Sequence, residues 1–245
     1  MFKIKNLTTK AEMYIYGLII DDTDANWLLQ DDDGKVIGYQ YPADIKAQLD
    51  ALKGLPIDVH IASDGGDVAA GIAIYNMLVN HDAPVTVYID SWAASIASVI
   101  AMAGSKIIMP ANTFLMIHNP KGGGFGEADY LRSIADWLDK LKEMLVNTYV
   151  EHVDLERYET NKDVATEVIT DAMDKETWYT AEEASRVFKN VELVESNDIK
   201  AVAQYKSKFS GAPDVIKATD VKNNILKLLQ EAYRYEEESG VTESD

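Results

Sequence analysis

Between residues 57 and 117 the apolar pattern switches back and forth between a two-residue and a 3.6-residue period. Few folds tolerate that alternation. Ile57, Val59 and Ile61 alternate with Asp58 and His60, a strand signature. The loop Ser63-Asp64-Gly65-Gly66 follows, and Val68, Ile72, Tyr75 and Val79 then form one helical stripe. Val85 to Ile89, opened by Pro84, reads as a second strand. Ala93 to Ala103, closed by Gly104, reads as a helix of small and branched residues. Lys106 to Met109 and Thr113 to Ile117 read as short strands. Strands and helices in this order pair in parallel through right-handed crossovers. The expected class is α/β, built of parallel-strand βαβ units. Such sheets present reactive groups at the carboxyl ends of their strands.

The flanking segments extend this frame. Met13 to Ile20 is apolar and β-prone, and Asp21 to Tyr41 reads as a long connection or hairpin. Pro42 to Leu52 has helical spacing with proline in its first turn. A long helix is expected over about Glu127 to Val153, with Leu131, Ile134, Leu138, Leu141, Leu145 and Thr148 on one face. Intramolecular core is the first reading of that stripe and a subunit contact the second. Thr180-Ala-Glu-Glu183 has the form of a capping box. The expected division is a body over residues 1–200 and an extension over 201–245. In the extension, Val221 to Tyr235 has a helical pattern and Glu236 to Asp245 reads as a disordered acidic tail.

Composition excludes several chemistries. There is no cysteine, so disulfides, thiolate metal sites and thiol nucleophiles are out. The four histidines, His60, His81, His118 and His152, show no metal-ligand spacing. A net charge of -18 without a basic patch argues against nucleic acid. No run approaches the ~18 residues needed to cross a bilayer, and the first residues lack a signal-peptide pattern. A soluble, cytoplasmic protein without cofactor is expected.

Three stretches supply the parts of acyl transfer: a nucleophile, a base and oxyanion donors. Gly65-Gly66 precedes a helix and lets the backbone turn with its N–H groups free. Ser95 opens a helix directly after a strand, which exposes its hydroxyl. His118 ends a short strand, where it can face a cleft. Each has an ordinary structural explanation when taken alone: a turn, a tightly packed small-residue helix, a satisfied histidine.

Together these stretches resemble the Clp peptidase family, and more particularly the Clp-like head maturation proteases of tailed phages and prophages. The resemblance lies in Ser63-Asp-Gly-Gly-Asp-Val-Ala-Ala-Gly-Ile-Ala-Ile-Tyr75, Ala93-Ala-Ser-Ile-Ala-Ser-Val-Ile-Ala-Met-Ala-Gly104, Met116-Ile-His-Asn-Pro120 and Glu176-Thr-Trp-Tyr-Thr-Ala-Glu-Glu-Ala184. It implies a ClpP/crotonase-like fold with a long protruding handle helix, and a serine endopeptidase in a homo-oligomer of stacked rings. It implies Ser95 as nucleophile, His118 as base, and the N–H groups of Gly66 and Ile96 as oxyanion hole. The third triad position holds Glu176, with Asp174 as the alternative. Lys121, Gly122, Gly123, Gly124 and Phe125 would form a strand-like border of the groove and pair with an extended peptide. The partners implied are a polypeptide substrate and either a separate AAA+ unfoldase or capsid proteins.

The pattern departs from the family at several points. Asp64 stands where proline is usual and puts a negative charge near the oxyanion hole. Ser91 replaces a frequent glycine. Three other readings remain: a structural ring with a degraded triad, a crotonase-type acyl-CoA enzyme, and a Ser-Lys dyad using Lys106 or Lys121.

Overall fold

A computed structural model describes residues 5–7, 10–28, 38–158 and 160–194. The expected extension, with its helix over Val221 to Tyr235 and its acidic tail, lies outside the described residues. The elements run β1 (Lys5–Leu7), β2 (Lys10–Ile19), α1 (Asp22–Ala25), β3 (Tyr39–Gln40), α2 (Pro42–Ala51), β4 (Ile57–Gly66), α3 (Val68–Val79) and β5 (Val85–Ala94). After these come α4 (Ile96–Ala101), β6 (Lys106–Pro110), β7 (Phe114–Ile117), α5 (Ala128–Val150) and a 3-10 turn at Leu155–Tyr158. The described chain closes with α6 (Lys162–Asp174), β8 (Thr177–Thr180), α7 (Ala181–Val187) and β9 (Val191–Val194).

Strands β2, β4, β5, β6 and β9 are parallel neighbours, and β1 pairs antiparallel at the edge. The alternation of β4 sends Ile57, Val59 and Ile61 to one face, where each is fully buried with Ile45, Ile74 and Leu78 of α2 and α3. Each such isoleucine contributes about 1.5–3 kcal/mol of burial. The opposite face carries an in-register row across three strands, Tyr14, His60 and Tyr88. Their rings stack at 4.9 and 5.0 Å.

The sheet forks at β5. Its first half, Thr86 to Tyr88, pairs with β6, and its last residues, Trp92 to Ala94, pair with β7. β7 then pairs antiparallel with β8, and Ile117 faces Thr177. This fork corrects one expectation. Ala93 and Ala94 are not helical; they are the end of β5, hydrogen-bonded in register with Leu115 and Met116. Helix propensity is a weak prior that strand pairing overrides. Residues Ser63 to Gly66 are likewise the end of β4 and not a free loop, because Gly65 and Gly66 pair with Leu18 and Ile19.

Helix caps follow the local chemistry. Asp67 accepts the Ala70 N–H at 2.7 Å to start α3. Thr180 and Glu183 form the reciprocal capping box that starts α7. α5 is the long helix expected, but only its last turns are internal. Leu145, Val146, Tyr149 and Val150 are buried, whereas Leu131 is 45% and Trp137 58% exposed. The core reading of the stripe therefore holds only for its C-terminal third. Among the described residues no helix is long and apolar enough to cross a membrane.

Candidate active site

Ser95 occupies the single-residue turn between β5 and α4, with φ 55 and ψ -131. A non-glycine residue in this left-handed conformation is strained, and such strain persists only where the surroundings over-determine it. Here the Ser95 N–H donates to the Met116 carbonyl at 3.0 Å, and the Ser95 carbonyl accepts from Ser98 Oγ at 2.6 Å. The sharp strand-to-helix turn lifts the hydroxyl out of the sheet, as a nucleophile elbow does without its usual glycines.

The β5–β7 register decides what the hydroxyl meets. Ala94 lies opposite Met116, so the next residues of both strands arrive side by side. His118 Nε2 stands 2.7 Å from Ser95 Oγ. With Nε2 accepting the hydroxyl proton, Nδ1 carries the imidazole N–H. Burial holds the His118 pKa below its ordinary value, the Lys121 ammonium lowers it further, and Glu176 opposes both.

Glu176 follows α6 and precedes β8, and the antiparallel β7–β8 register sets it across from His118. Its backbone also has positive φ, 50°. Glu176 Oε2 lies 3.7 Å from His118 Nδ1, which is beyond hydrogen-bonding range. The same oxygen accepts from Lys121 Nζ at 3.0 Å. That bond, then the lysine charge, depresses the Glu176 pKa. His118 Nδ1 is buried with no hydrogen-bond partner. Asp174, the alternative carboxylate, is engaged elsewhere: Asn119 Nδ2 donates to it at 2.7 Å, and Lys142 pairs with it. Asn119 and Lys142 were not singled out from the sequence, and no local signal marks a contact across 55 residues.

The Gly-Gly pair stands close to Ser95. Gly65 has φ 93, and a Cβ there would lie 2.8 Å from Ser95 Cβ and 3.1 Å from the Ile96 nitrogen. Gly66 has φ 145, and a Cβ would meet the Ile19 carbonyl oxygen at 1.9 Å. Ile96 is the first residue of α4, so its N–H has no acceptor within the helix. Asp64 Oδ1 accepts the Trp92 indole N–H at 2.6 Å.

A family model for Clp protease matches residues 36–187. The chain belongs to the Clp protease family. The ATP-dependent Clp protease proteolytic subunit 1 of Chlamydia abortus is 32% identical over 167 residues, spanning 62% of this chain and 82% of that protein. The same subunit of Chlamydia caviae aligns with the same identity and spans. A point mutant of ClpP1 from Listeria monocytogenes superposes with a TM-score of 0.55 and 23% identity, covering 76% of this chain and 92% of that one. The expected α/β fold of this family is therefore found, and the chain is a serine-type peptidase.

Residues 121–125 differ from expectation. They were expected to be strand-like, yet they form no strand and are exposed throughout. The run from Gly122 to Gly126 instead rests on the first half of α5. A Cβ at Gly122 would lie 3.3 Å from Leu138 Cδ2, and one at Gly124 would lie 2.6 Å from Ile134 Cδ1. Repeated glycine lets the backbone approach the helix this closely, and among the described residues no neighbouring strand supplies a ladder. The Ser-Lys reading gains no contact: Lys106 pairs with Glu192 at 2.5 Å and Lys121 with Glu176, while the group on Ser95 is a histidine.

Proposed function

We propose that this chain is an endopeptidase that cleaves polypeptides through Ser95, His118 and Glu176. The observation that carries the reading is the 2.7 Å contact between His118 Nε2 and Ser95 Oγ at a strained strand-to-helix turn. His118 takes the hydroxyl proton as Ser95 attacks the scissile carbonyl. The tetrahedral oxyanion is met by the N–H groups of Gly66 and Ile96. His118 then hands its proton to the leaving amine. Water, deprotonated by the same imidazole, releases the acyl group and restores Ser95. The peptide lies beside residues 121–125, including Lys121, Gly122, Gly123, Gly124 and Phe125. No metal or cofactor enters these steps.

We assign the chemistry to residues 1–200 and leave the extension from 201 to 245 without a catalytic part. The exposed stripe of α5 is the surface we assign to contact between copies, in stacked rings that enclose the sites. Two relatives bear the name of an ATP-dependent proteolytic subunit. A separate AAA+ unfoldase is the partner this suggests, in the cytoplasm. The phage-like resemblance suggests capsid or scaffold proteins as substrates. A catalytically weak ring is the second reading, favoured by the 3.7 Å gap between Glu176 and His118.

The test is labelling of the purified protein with a fluorophosphonate, read by intact mass, beside Ser95→Ala and His118→Ala. Adduct on the wild type, lost in both variants, is expected. A folded oligomer that takes no adduct overturns the proposal.

A further inference from the structure

Glu176 Oε2 has two claimants. Lys121 Nζ holds it at 3.0 Å, and the unpartnered Nδ1 of His118 stands 3.7 Å away. The His118 side chain is only 14% exposed, so solvent is a poor substitute for the missing acceptor. The backbone of Glu176 is pinned, since its N–H donates to the Met173 carbonyl at 3.2 Å and β8 begins at the next residue. Only its side chain is free to move. A rotation that brings Oε2 about 1 Å nearer would make the hydrogen bond to Nδ1. Lys121 is 74% exposed and begins the glycine-rich run that the proposed function sets beside the peptide. It is therefore the most exposed member of this trio, ahead of Glu176 at 47% and His118 at 14%.

We propose that Lys121 is a specificity-determining residue: an acidic side chain on the peptide draws it off Glu176, and Glu176 then closes on His118. The inference rests on the peptidase reading above. The argument for an acidic substrate is one of exchange. Withdrawing Lys121 breaks an ion pair, and only another anion replaces it. A neutral peptide leaves Lys121 on Glu176 and the triad open. Lys142 and Lys175, two further cations, are already committed to Asp174 and Asp171. The exchange also removes a positive charge from beside an imidazole that must itself become positive during catalysis. Lys121 thus acts on the chemistry through Glu176, and on the substrate directly.

The experiment uses the full chain with two fluorogenic peptides that differ only in Glu against Gln beside the cleaved bond. Wild type, Lys121→Gln and Lys121→Arg are compared for kcat and KM, and for the rate of fluorophosphonate labelling without peptide. Wild type is expected to favour the Glu peptide by about two- to fivefold, the range of an exposed ion pair, chiefly in kcat. Lys121→Gln is expected to erase the preference by raising kcat on the Gln peptide, while Lys121→Arg keeps it. Labelling of Lys121→Gln should be faster than wild type by a similar factor. Equal cleavage of both peptides by wild type, a preference that survives Lys121→Gln, or a labelling rate that is unchanged or slower overturns the latch. Normal wild-type labelling alongside such a result leaves the peptidase reading standing. Absence of both labelling and cleavage overturns the peptidase reading, and the latch with it.

Discussion

Ser98 Oγ and the Tyr149 hydroxyl lie 2.7 Å apart, linking the short helix that follows Ser95 to the long helix α5. Ser98 spends its single proton on the Ser95 carbonyl at 2.6 Å, so Tyr149 is the donor to Ser98. Both side chains are buried, and burial pushes the Tyr149 pKa far up. The conformation of Ser95 is thus tied to the buried end of α5.

Tyr149→Phe should uncouple that relay without opening a cavity. Loss of one buried hydrogen bond costs about 1 kcal/mol. In a protein of this size that is a fall in Tm of about 2–4 °C. Calorimetry measures it, and the fluorophosphonate rate at Ser95 should fall as well. An unchanged rate together with an unchanged Tm would remove the link.

Gly66→Ala should be far more damaging than its size suggests. Its Cβ would lie 1.9 Å from the Ile19 carbonyl oxygen, a backbone atom held in the β2–β4 ladder. The positive φ alone costs about 1–3 kcal/mol. Thermal denaturation should show the loss, and labelling of Ser95 should drop in whatever folded protein remains. Tolerance of alanine at this position would contradict the described strand end.

The pH profile has a defined sign. His118 must be neutral to accept the Ser95 proton, and its pKa lies below the ordinary 6.5 because of burial first and Lys121 second. The base therefore stays competent as the pH falls through 6.5, and activity is lost only as the pH falls through the lower folded value. Lys121→Gln should move this acidic limb upward, and Glu176→Gln, which removes the opposing carboxylate, should move it downward. Labelling rates measured against pH check both shifts. An acidic limb above 6.5 in the wild type would contradict the description.

Charges on the exposed half of α5 should break assembly and spare the fold. Leu131 and Trp137 are each about half exposed in the single chain. Leu131→Glu with Trp137→Glu should give a smaller species by analytical ultracentrifugation, with an unchanged circular dichroism spectrum. An oligomer of unaltered mass would assign the contact elsewhere.

The frame of the fold was legible because Ile57, Val59 and Ile61 leave no choice of period, and α3 follows with its own. The turn at Ser95 was less so. Ala93 and Ala94 favour helix locally, and only the fork at β5, which pairs them with β7, makes them strand. The same fork is why the Ser95–His118 contact was not derivable from spacing: it depends on the register of β5 with β7. The family resemblance implied a strand-like border over Lys121 to Phe125, but Gly122 and Gly124 settle onto Leu138 and Ile134 of α5. The competition for Glu176 escaped notice because nothing local joins Lys121 to a residue 55 positions later.

The late arrival of β8 has a consequence for biosynthesis. Ser95 and His118 come from neighbouring strands 23 residues apart, whereas the proposed carboxylate arrives only after α5 and α6 have been made. Domains fold from the amino end during translation, and long-range pairings form last. A nascent chain extended just past His118 carries Ser95 at the end of β5 and His118 at the end of β7, with β7 still lacking its β8 neighbour. The proposed set of Ser95, His118 and Glu176 is completed only when β8 pairs with β7, so the order of synthesis itself withholds the proposed carboxylate until most of the body exists.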